Sequence, residues 1–384
     1  MKRIIALVDC DSFFVSCEQA KKPELKGQPV CVLSNNDGCI VSRSKEAKKM
    51  GIKMGMPLFI AQKEFPKAIY LSGNHSIYNE FSQKVMHCLK NFSPDVEIYS
   101  IDEAFIDLTG TDKLYRKNYI EIIKMIKETI LQETDIPVSI GLSSSKTLAK
   151  LASDKAKNHN GIYEIALENI NKEMKNTPIE EIWGIGKNIT KTLKQNGILK
   201  CSDLINTSDK VLQKLIGIRG IEMRHELRGE AVSLVNAKEK TPKSIQDTSA
   251  FGIFTSDKEF IKSELNKHIH VACRKLRKHN CYCKSIGVML RTKDFNVFTN
   301  KKNIEISSNF ELEISKVAME LLEEIYSPEI LYRATGIHLF NLNESKDNQP
   351  TLFNTAKKNN NENLTKAVDN LEKKYGKNII RTGF

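Results

Sequence analysis

Apolar and polar residues alternate in short blocks through the first half of the chain, and the spacing within each block predicts its secondary structure. Residues 3–9 form an apolar run that ends in Asp9, which predicts a buried strand whose end reaches a cleft. Residues 29–33 and 39–42 predict a hairpin, because the Asn-Asn-Asp-Gly sequence at 35–38 strongly favours a turn.

The spacing then changes several times between helical and strand periods. Apolar residues recur at helical spacing over 75–92, 116–132 and 146–157, and short apolar runs predict strands at 95–99, 103–108 and 137–142. Without segment 24–72 the order is βαββαβ, the ferredoxin-like arrangement, which places strand 3–9 beside the 95–108 hairpin. Asp9 would then meet Asp102 and Glu103 on one face.

The second half of the chain divides by composition. Short helices and glycines over 178–235 are followed by a polar linker at 236–243, and residues 244–342 alternate strands with two helices as a separate α+β unit. Residues 343–363 are polar and of low complexity, and 364–381 have the spacing of a small amphipathic helix. The fold class predicted for the whole chain is therefore α+β with several domains.

Charge and cysteine content narrow the range of functions. The 384 residues carry a formal net charge of +12, which favours a polyanionic partner and nucleic acid above all, although an AT-rich genome would also enrich lysine. The nine cysteines indicate reduced thiols in a cytoplasmic protein. We expect no membrane association, because no run of 18 apolar residues occurs.

Three acids at predicted strand ends are the strongest candidates for catalysis. Two divalent metals a few ångströms apart need bridging carboxylates, and Asp9, Asp102 and Glu103 on adjacent strand ends can provide them. Acids within apolar sequence are costly to bury unless they are paired or metal-bound. The residues alone leave it equally open that Asp102 and Glu103 form only a polar turn.

Other residues near these acids could bind a nucleotide. If one of Phe13 and Phe14 packs in the core, its neighbour can face the cleft and exclude a 2′-hydroxyl, but two core aromatics fit the pattern at least as well. A basic group beside the Ser42 hydroxyl could neutralise a triphosphate or form a solvated surface; it comprises Arg43, Lys45, Lys48 and Lys157.

Two further segments predict contacts with DNA. The turn at 183–187 contains Gly184 and Gly186 before Lys187, so backbone N–H groups can approach a phosphate there. Residues 262–302 contain eleven Lys or Arg and two acids, a local basic density that indicates nucleic-acid binding; it includes Arg274, Arg277 and Arg291.

A short motif in the polar tail resembles a docking peptide. Residues 349–353, with Gln349, Leu352 and Phe353, place an apolar pair in otherwise polar sequence.

Taken in order, the sequences VDCDSFF, SNNDGCIVSRSKEAKKMGIKMGMP, YSIDEAFIDLTG, GLSSSKTLAKLASDKAK and WGIGK resemble those of Y-family DNA polymerases of the UmuC type, the catalytic subunit of bacterial DNA polymerase V. The resemblance runs from residue 1 to about residue 381. It implies a right-hand polymerase whose parts are a palm at 1–23 and 73–167, fingers at 24–72, a helix-hairpin-helix thumb at 168–235, a linker at 236–243, a little finger at 244–342 and a clamp-binding tether with a terminal helix at 343–384.

The resemblance also implies residue roles. Asp9, Asp102 and Glu103 would bind two Mg²⁺ with the Cys10 carbonyl nearby, and Phe14 would be the steric gate against ribose. Triphosphate contacts would come from Ser42, Lys45, Lys48 and Lys157, the roof over the base pair from Cys39 and Val41, and the contact with a sliding clamp from 349–353. Other branches carry Tyr and Arg where this chain has Lys45 and Lys48, so the grip on phosphate is expected to differ.

The implied activity is low-fidelity synthesis on primer-template DNA from dNTPs, across damage and during the SOS response. Whether a UmuD-like subunit and RecA are required stays open. Two alternatives also stay open: a phosphatase of the haloacid dehalogenase type, because LVDCD resembles its nucleophile strand, and an inactive polymerase relative that binds DNA as a scaffold.

Overall fold

The computed structural model describes residues 3–238 and 241–344, together with 367–368, 370–371 and 374–375. The chain divides into two compact units, 1–239 and 240–384. The division falls within the predicted linker at 236–243, and the finer domain boundaries stay predictions.

The first part of unit 1 contains the elements expected from the spacing of apolar residues. In chain order they are β1 (Ile5–Cys10), α1 (Phe13–Lys21), β2 (Val30–Leu33), β3 (Ile40–Arg43), α2 (Lys45–Lys49), α3 (Leu58–Glu64), β4 (Ile69–Leu71), α4 (His75–Lys90), β5 (Val96–Ile98), β6 (Glu103–Asp107), α5 (Thr111–Tyr115), α6 (Tyr119–Thr134), β7 (Val138–Ser143), α7 (Lys146–Ala156) and β8 (Ile162–Glu164).

The main sheet of unit 1 has the strand order β5-β6-β1-β7-β8. β1 pairs antiparallel with β6 and with β7, so the βαββαβ prediction is confirmed. β8, which pairs parallel with β7 at the edge of the sheet, was not predicted. Helices α4 and α6 bury their apolar sides in the core under this sheet, and the predicted helical face of Ile122, Ile126 and Ile130 is fully buried.

Helix α7 packs unusually close to the sheet. A Cβ on Gly141 of β7 would lie 2.0 Å from the backbone nitrogen of Ser153, so only glycine permits this approach. The helix begins at Ser145, whose hydroxyl accepts a hydrogen bond from the Leu148 N–H at 3.3 Å. Ser145 is therefore the N-cap of α7.

The segment inserted after α1 forms a small sheet of its own, with the strand order β3-β2-β4. β2 and β3 form the predicted hairpin, and an irregularity between Val32 and Leu33 accommodates its turn. Ser44 caps α2 by accepting from the Ala47 N–H. A separate apolar cluster that includes Ile40 and Ile52 stabilises this insert.

The rest of unit 1 is helical: α8 (Ile170–Asn176), α9 (Lys187–Gln195), α10 (Cys201–Asn206), α11 (Asp209–Ile216) and α12 (Ile218–Leu227). The expected helix-hairpin-helix would have its first helix directly before the 183–187 turn. The structure has a single 3-10 turn there, Ile179–Glu181.

Unit 2 is an antiparallel sheet with helices on one face. Its elements are β9 (Ile245–Thr255), α13 (Lys258–Lys278), β10 (Tyr282–Thr292), β11 (Val297–Ser308), α14 (Glu311–Ile325) and β12 (Tyr332–Asn343), and the strand order is β11-β10-β12-β9. Ile286, Val288 and Leu290 of β10 share a buried cluster with residues of both helices. Since side chains alternate along a strand, the residues between them lie on the opposite, open face.

The described residues give three further results. Each cysteine is a free thiol, as the count predicted. Nowhere in the described ranges is there a helix with the length and apolarity needed to cross a bilayer. The described positions between 367 and 375 are helical, with Leu371 and Tyr375 exposed.

A buried acid joins α12 to the start of α7. Glu226 is 4% exposed, and its carboxylate accepts from the backbone N–H groups of Thr147, Val232 and Ser233 at 3.0, 2.9 and 2.9 Å. Its backbone carbonyl also accepts from the Ser145 hydroxyl at 2.7 Å. A carboxylate at a helix N-terminus is favourable because the first N–H groups of the helix lack partners within it.

We predict that Glu226→Ala lowers the free energy of unfolding by about 3 kcal/mol, because it leaves buried N–H donors without an acceptor. Urea unfolding followed by circular dichroism measures the change. Glu222→Ala is the matched control on the same helix: its side chain is 39% exposed and pairs with Arg219, so the change should stay within about 0.5 kcal/mol. Equal effects of the two substitutions would contradict the role assigned to Glu226.

Candidate active site and DNA-contact surfaces

Two acids face each other across neighbouring strands. Asp9 near the end of β1 pairs in register with Glu103 at the start of β6. Asp102 precedes Glu103, and its backbone carbonyl accepts from the Cys10 N–H at 2.9 Å. The Ser100 hydroxyl donates to the Asp102 carboxylate at 2.5 Å. Asp9 and Asp102 line the same cleft. The strand pairing therefore brings the three predicted acids together at one end of β1 and β6.

Two lysines of the α7 segment neutralise these acids. Lys150 donates to Glu103 and lies 3.4 Å from the Asp9 carboxylate, and Lys157, just after the helix, lies 3.2 Å from the same Asp9 oxygen. Lys157 was predicted near the site, whereas Lys150 was missed. The seven-residue interval between them, two helical turns, is a signal that would have placed both on one face.

Burial raises the pKa of Glu103 from its ordinary value near 4.5 to about 7. The hydrogen bond with Asp9 contributes to this rise, whereas the Lys150 ammonium opposes it. The pKa values of Lys150 and Lys157 are raised by the acids they contact, although burial acts against this. The acids and lysines thus form one electrostatic unit.

The chemistry of these acids fits a hard divalent cation such as Mg²⁺, which prefers carboxylate oxygen. Within residues 3–238 and 241–344, no three His, Cys, Asp or Glu side chains converge as a ready-made ligand cluster. The Lys150 ammonium instead lies between Asp9 and Glu103, and thus supplies positive charge where the two carboxylates meet.

A cleft of about 300 Å³ opens beside the acids. Phe13 and Phe14 both line this cleft; Phe13 is 3% exposed and also belongs to the core, whereas Phe14 is half-buried. The Phe14 ring stacks on Tyr78 with centroids 4.5 Å apart and planes 21° apart. The hydroxyl of Tyr78 donates to buried Glu18 at 2.8 Å, so the surface beneath Phe14 is rigidly supported.

The opposite wall of the cleft is basic and comes from the insert. Ser42, Arg43 and Lys48 line it, together with Val41. The Lys48 ammonium donates to the Ser12 hydroxyl at 2.8 Å, and burial together with nearby Arg43 lowers its pKa.

Two of the predicted nucleotide contacts are placed elsewhere. Cys39 forms an isolated antiparallel β-bridge with Pro57 through its backbone, and Lys45 is exposed on α2. Neither is among the described residues that line the cleft.

Comparison with known proteins identifies the family. The protein-family model described as the impB/mucB/samB family matches residues 8–154. The family model of its C-terminal domain matches residues 242–352. The chain is 31% identical to UmuC of Salmonella typhimurium strain LT2, over 98% of this chain and 92% of that protein. A DNA polymerase IV of Clostridium kluyveri is 30% identical, over 100% of this chain and 98% of that protein. The chain belongs to the impB/mucB/samB family of Y-family DNA polymerases.

The solved structures agree with this assignment. A Y-family DNA polymerase chimera of Dbh and Dpo4 is 30% identical to this chain, with a TM-score of 0.76, and the match covers 88% of this chain and 99% of that chain. Family membership sets aside the haloacid dehalogenase alternative.

In this Y-family polymerase, the glycine turn of the helical segment is exposed at the predicted residues. Gly184 adopts a φ of +91°, which few other residues tolerate, and Gly186 begins α9 without a side-chain cap. Trp183 anchors the turn, since its indole N–H donates to the Tyr99 hydroxyl at 3.0 Å. A second glycine turn at Gly217, between α11 and α12, was missed, although Ile-Gly-Ile occurs there.

The basic residues of unit 2 lie on two sides of the sheet. Arg291 of β10 alternates with the buried Leu290 and so shares the open face with Gly287, beside a groove of about 650 Å³. Arg274 and Arg277 belong to α13, which covers the opposite face. The predicted basic region is therefore not one continuous patch.

The clamp-binding prediction for 349–353, with Gln349, Leu352 and Phe353, lies outside the described residues.

We predict that, without divalent cations, the contribution of Glu103 to the free energy of unfolding decreases as pH rises from about 4.5 to about 7. In this window folded Glu103 retains a proton that the unfolded chain has released, so raising the pH favours unfolding. Glu103→Gln removes this contribution, and the difference between variant and wild type should track it. Thermal unfolding in a chelator across this range measures the difference.

The exposed acid Glu128 provides the control, because Glu128→Gln should leave the wild-type pH profile unchanged. Parallel profiles for wild type and Glu103→Gln would show that the Glu103 carboxyl titrates normally.

Proposed function

We propose that this Y-family polymerase performs template-directed, low-fidelity DNA synthesis with two Mg²⁺ held by Asp9, Asp102 and Glu103. The observation that carries the proposal is the in-register pairing of Asp9 with Glu103 beside a cleft that Asp102 also lines. When bound, two such ions would lower the pKa of a primer 3′-hydroxyl and neutralise charge on a triphosphate. The Cys10 carbonyl is a further candidate ligand.

The chain's own residues supply the nucleotide site. Lys48, Arg43 and Lys157 surround the cleft with positive charge, and the Ser42 hydroxyl lies on the same wall, which suits a dNTP triphosphate. Phe14 would lie under the sugar, where it would clash with a 2′-hydroxyl. Val41 is the candidate roof over the base pair; Cys39 and Lys45 would need a different arrangement to contribute.

DNA would be held by two kinds of surface. Exposed backbone N–H groups at Gly184, Gly186 and Lys187 suit a phosphate backbone without regard to sequence. Arg291 and the open sheet face of unit 2 are the second surface. In this proposal the segments serve as the palm, fingers, thumb and little finger that the resemblance implies.

Cellular roles are proposed from the similarity to UmuC. They are synthesis across lesions in the SOS response, a cytoplasmic location, a sliding clamp bound through 349–353, and a UmuD-like subunit and RecA as partners. Loose checking of base-pair shape is consistent with the insert that forms the cleft wall, since its apolar core is small.

We expect the wild-type protein to extend a primer past an abasic site with Mg²⁺ present. Asp102→Ala combined with Glu103→Ala should slow extension by about 1000-fold or more, because ion-based stabilisation of developing charge amounts to several kcal/mol. Primer extension on a gel measures the rate, and fluorescence anisotropy with labelled DNA should show binding retained.

An unmutated protein that binds DNA but does not extend primers, with Mg²⁺, clamp and accessory proteins supplied, would favour the scaffold alternative. Extension that stops completely at the lesion would contradict lesion bypass.

We also predict that Phe14→Ala increases ribonucleotide incorporation relative to dNTP incorporation by at least about tenfold, the factor given by roughly 1.4 kcal/mol of lost steric discrimination. Single-turnover incorporation of matched rNTP and dNTP measures the ratio. Phe14→Tyr preserves the ring and should preserve the discrimination. An unchanged ratio in Phe14→Ala would assign the sugar contact to another residue.

A further inference from the structure

Lys150 occupies a position that the polymerase reaction does not explain. Its ammonium contacts Glu103 and lies 3.4 Å from Asp9, between the two acids that the proposed function assigns to divalent cations. Its side chain is 16% exposed, and those of Asp9 and Glu103 are 9% and 14% exposed. A buried cation that bridges two buried acids is well placed to offset their mutual repulsion.

Lys157 does not occupy an equivalent place. Its side chain is 42% exposed, and its ammonium is shared between Asp9 and Asp154 at 3.2 and 3.4 Å. Glu103 is contacted by Lys150, so Lys150 is the lysine that joins the pair.

The backbone that carries Lys150 has little freedom to retreat. Gly141 allows α7 to approach the sheet so closely that a Cβ there would lie 2.0 Å from Ser153. Glu226 holds the beginning of the same helix through the Thr147 N–H. The Lys150 side chain can instead turn toward Asp154, one helical turn away, whose carboxylate already lies 3.9 Å from its ammonium.

We propose that Lys150 is an internal counter-cation: it holds Asp9 and Glu103 together in the ion-free enzyme and competes with the incoming divalent cation for them. The inference rests on the proposed two-cation site. A cation that binds this pair must displace the ammonium, so the ion-free site is stabilised while its affinity for the metal is reduced. Premature binding of a metal without nucleotide is thereby disfavoured.

Binding of Mn²⁺ to the full chain, without DNA or nucleotide, tests the proposal by electron paramagnetic resonance of the free ion. Lys150→Met keeps the length of the side chain and removes its charge, so Mn²⁺ should bind on the order of tenfold more tightly. In a chelator the same variant should melt roughly 5 °C lower. Adding Mn²⁺ should raise the melting temperature of Lys150→Met by more than it raises that of the wild type.

Two variants complete the experiment. Lys150→Arg keeps the charge, so its Mn²⁺ affinity should not exceed that of the wild type. Lys155→Met removes a lysine on the same helix that pairs with Glu173 instead, and Mn²⁺ affinity should not change.

Unchanged or weaker Mn²⁺ binding by folded Lys150→Met would overturn the proposal. If that variant does not fold, tighter binding by Lys150→Arg would overturn it, and binding no tighter than the wild type would support it. Asp9→Asn separates this inference from the proposed function. Mn²⁺ binding that does not depend on Asp9 would reject the metal site itself, whereas Asp9-dependent binding unaffected by Lys150→Met would reject only the role of Lys150.

Discussion

The pairing of β1 with β6 is the constraint on which the site depends. It sets Asp9 opposite Glu103 on adjacent strands, where both carboxylates are largely removed from water. Two negative charges held together in such a place repel each other unless a positive charge accompanies them. Burial, with the hydrogen bond to Asp9, raises the pKa of Glu103, and the lysines of the α7 segment supply the positive charge.

The position of the lysines is in turn a matter of packing. Helix α7 lies close to β7 because Gly141 has no side chain, and its first turn is held by Ser145 and the buried Glu226 of α12. The helical segment that follows the sheet therefore helps to hold the helix that faces the acids. The cleft between the acids and the basic wall of the insert is the space that remains for a nucleotide.

Much of the fold could be predicted from local patterns, because each pattern has a local physical cause. The strand that ends near Asp9, the hairpin at 35–38 and the Ser145 cap follow from apolar spacing, turn geometry and N–H satisfaction. The βαββαβ order then predicted that β1 lies beside the hairpin that contains β6. The edge strand β8 was not predicted, since three residues of partial burial carry too weak a pattern. Arg274 and Arg291, close in sequence, were separated by a sheet whose two faces only tertiary structure defines.

By itself, the sequence determined which chemistry is available: the acids at strand ends, the adjacent aromatics, the basic insert and the family to which they belong. The resemblance had already implied the place of Phe14. Tertiary structure alone decided that Lys45 lies away from the cleft and that Lys150 rather than Lys157 bridges the acids. The physical reason is that residue type and spacing specify a side chain's chemistry and its face on an element. Which partner that face meets depends on how closely distant segments pack.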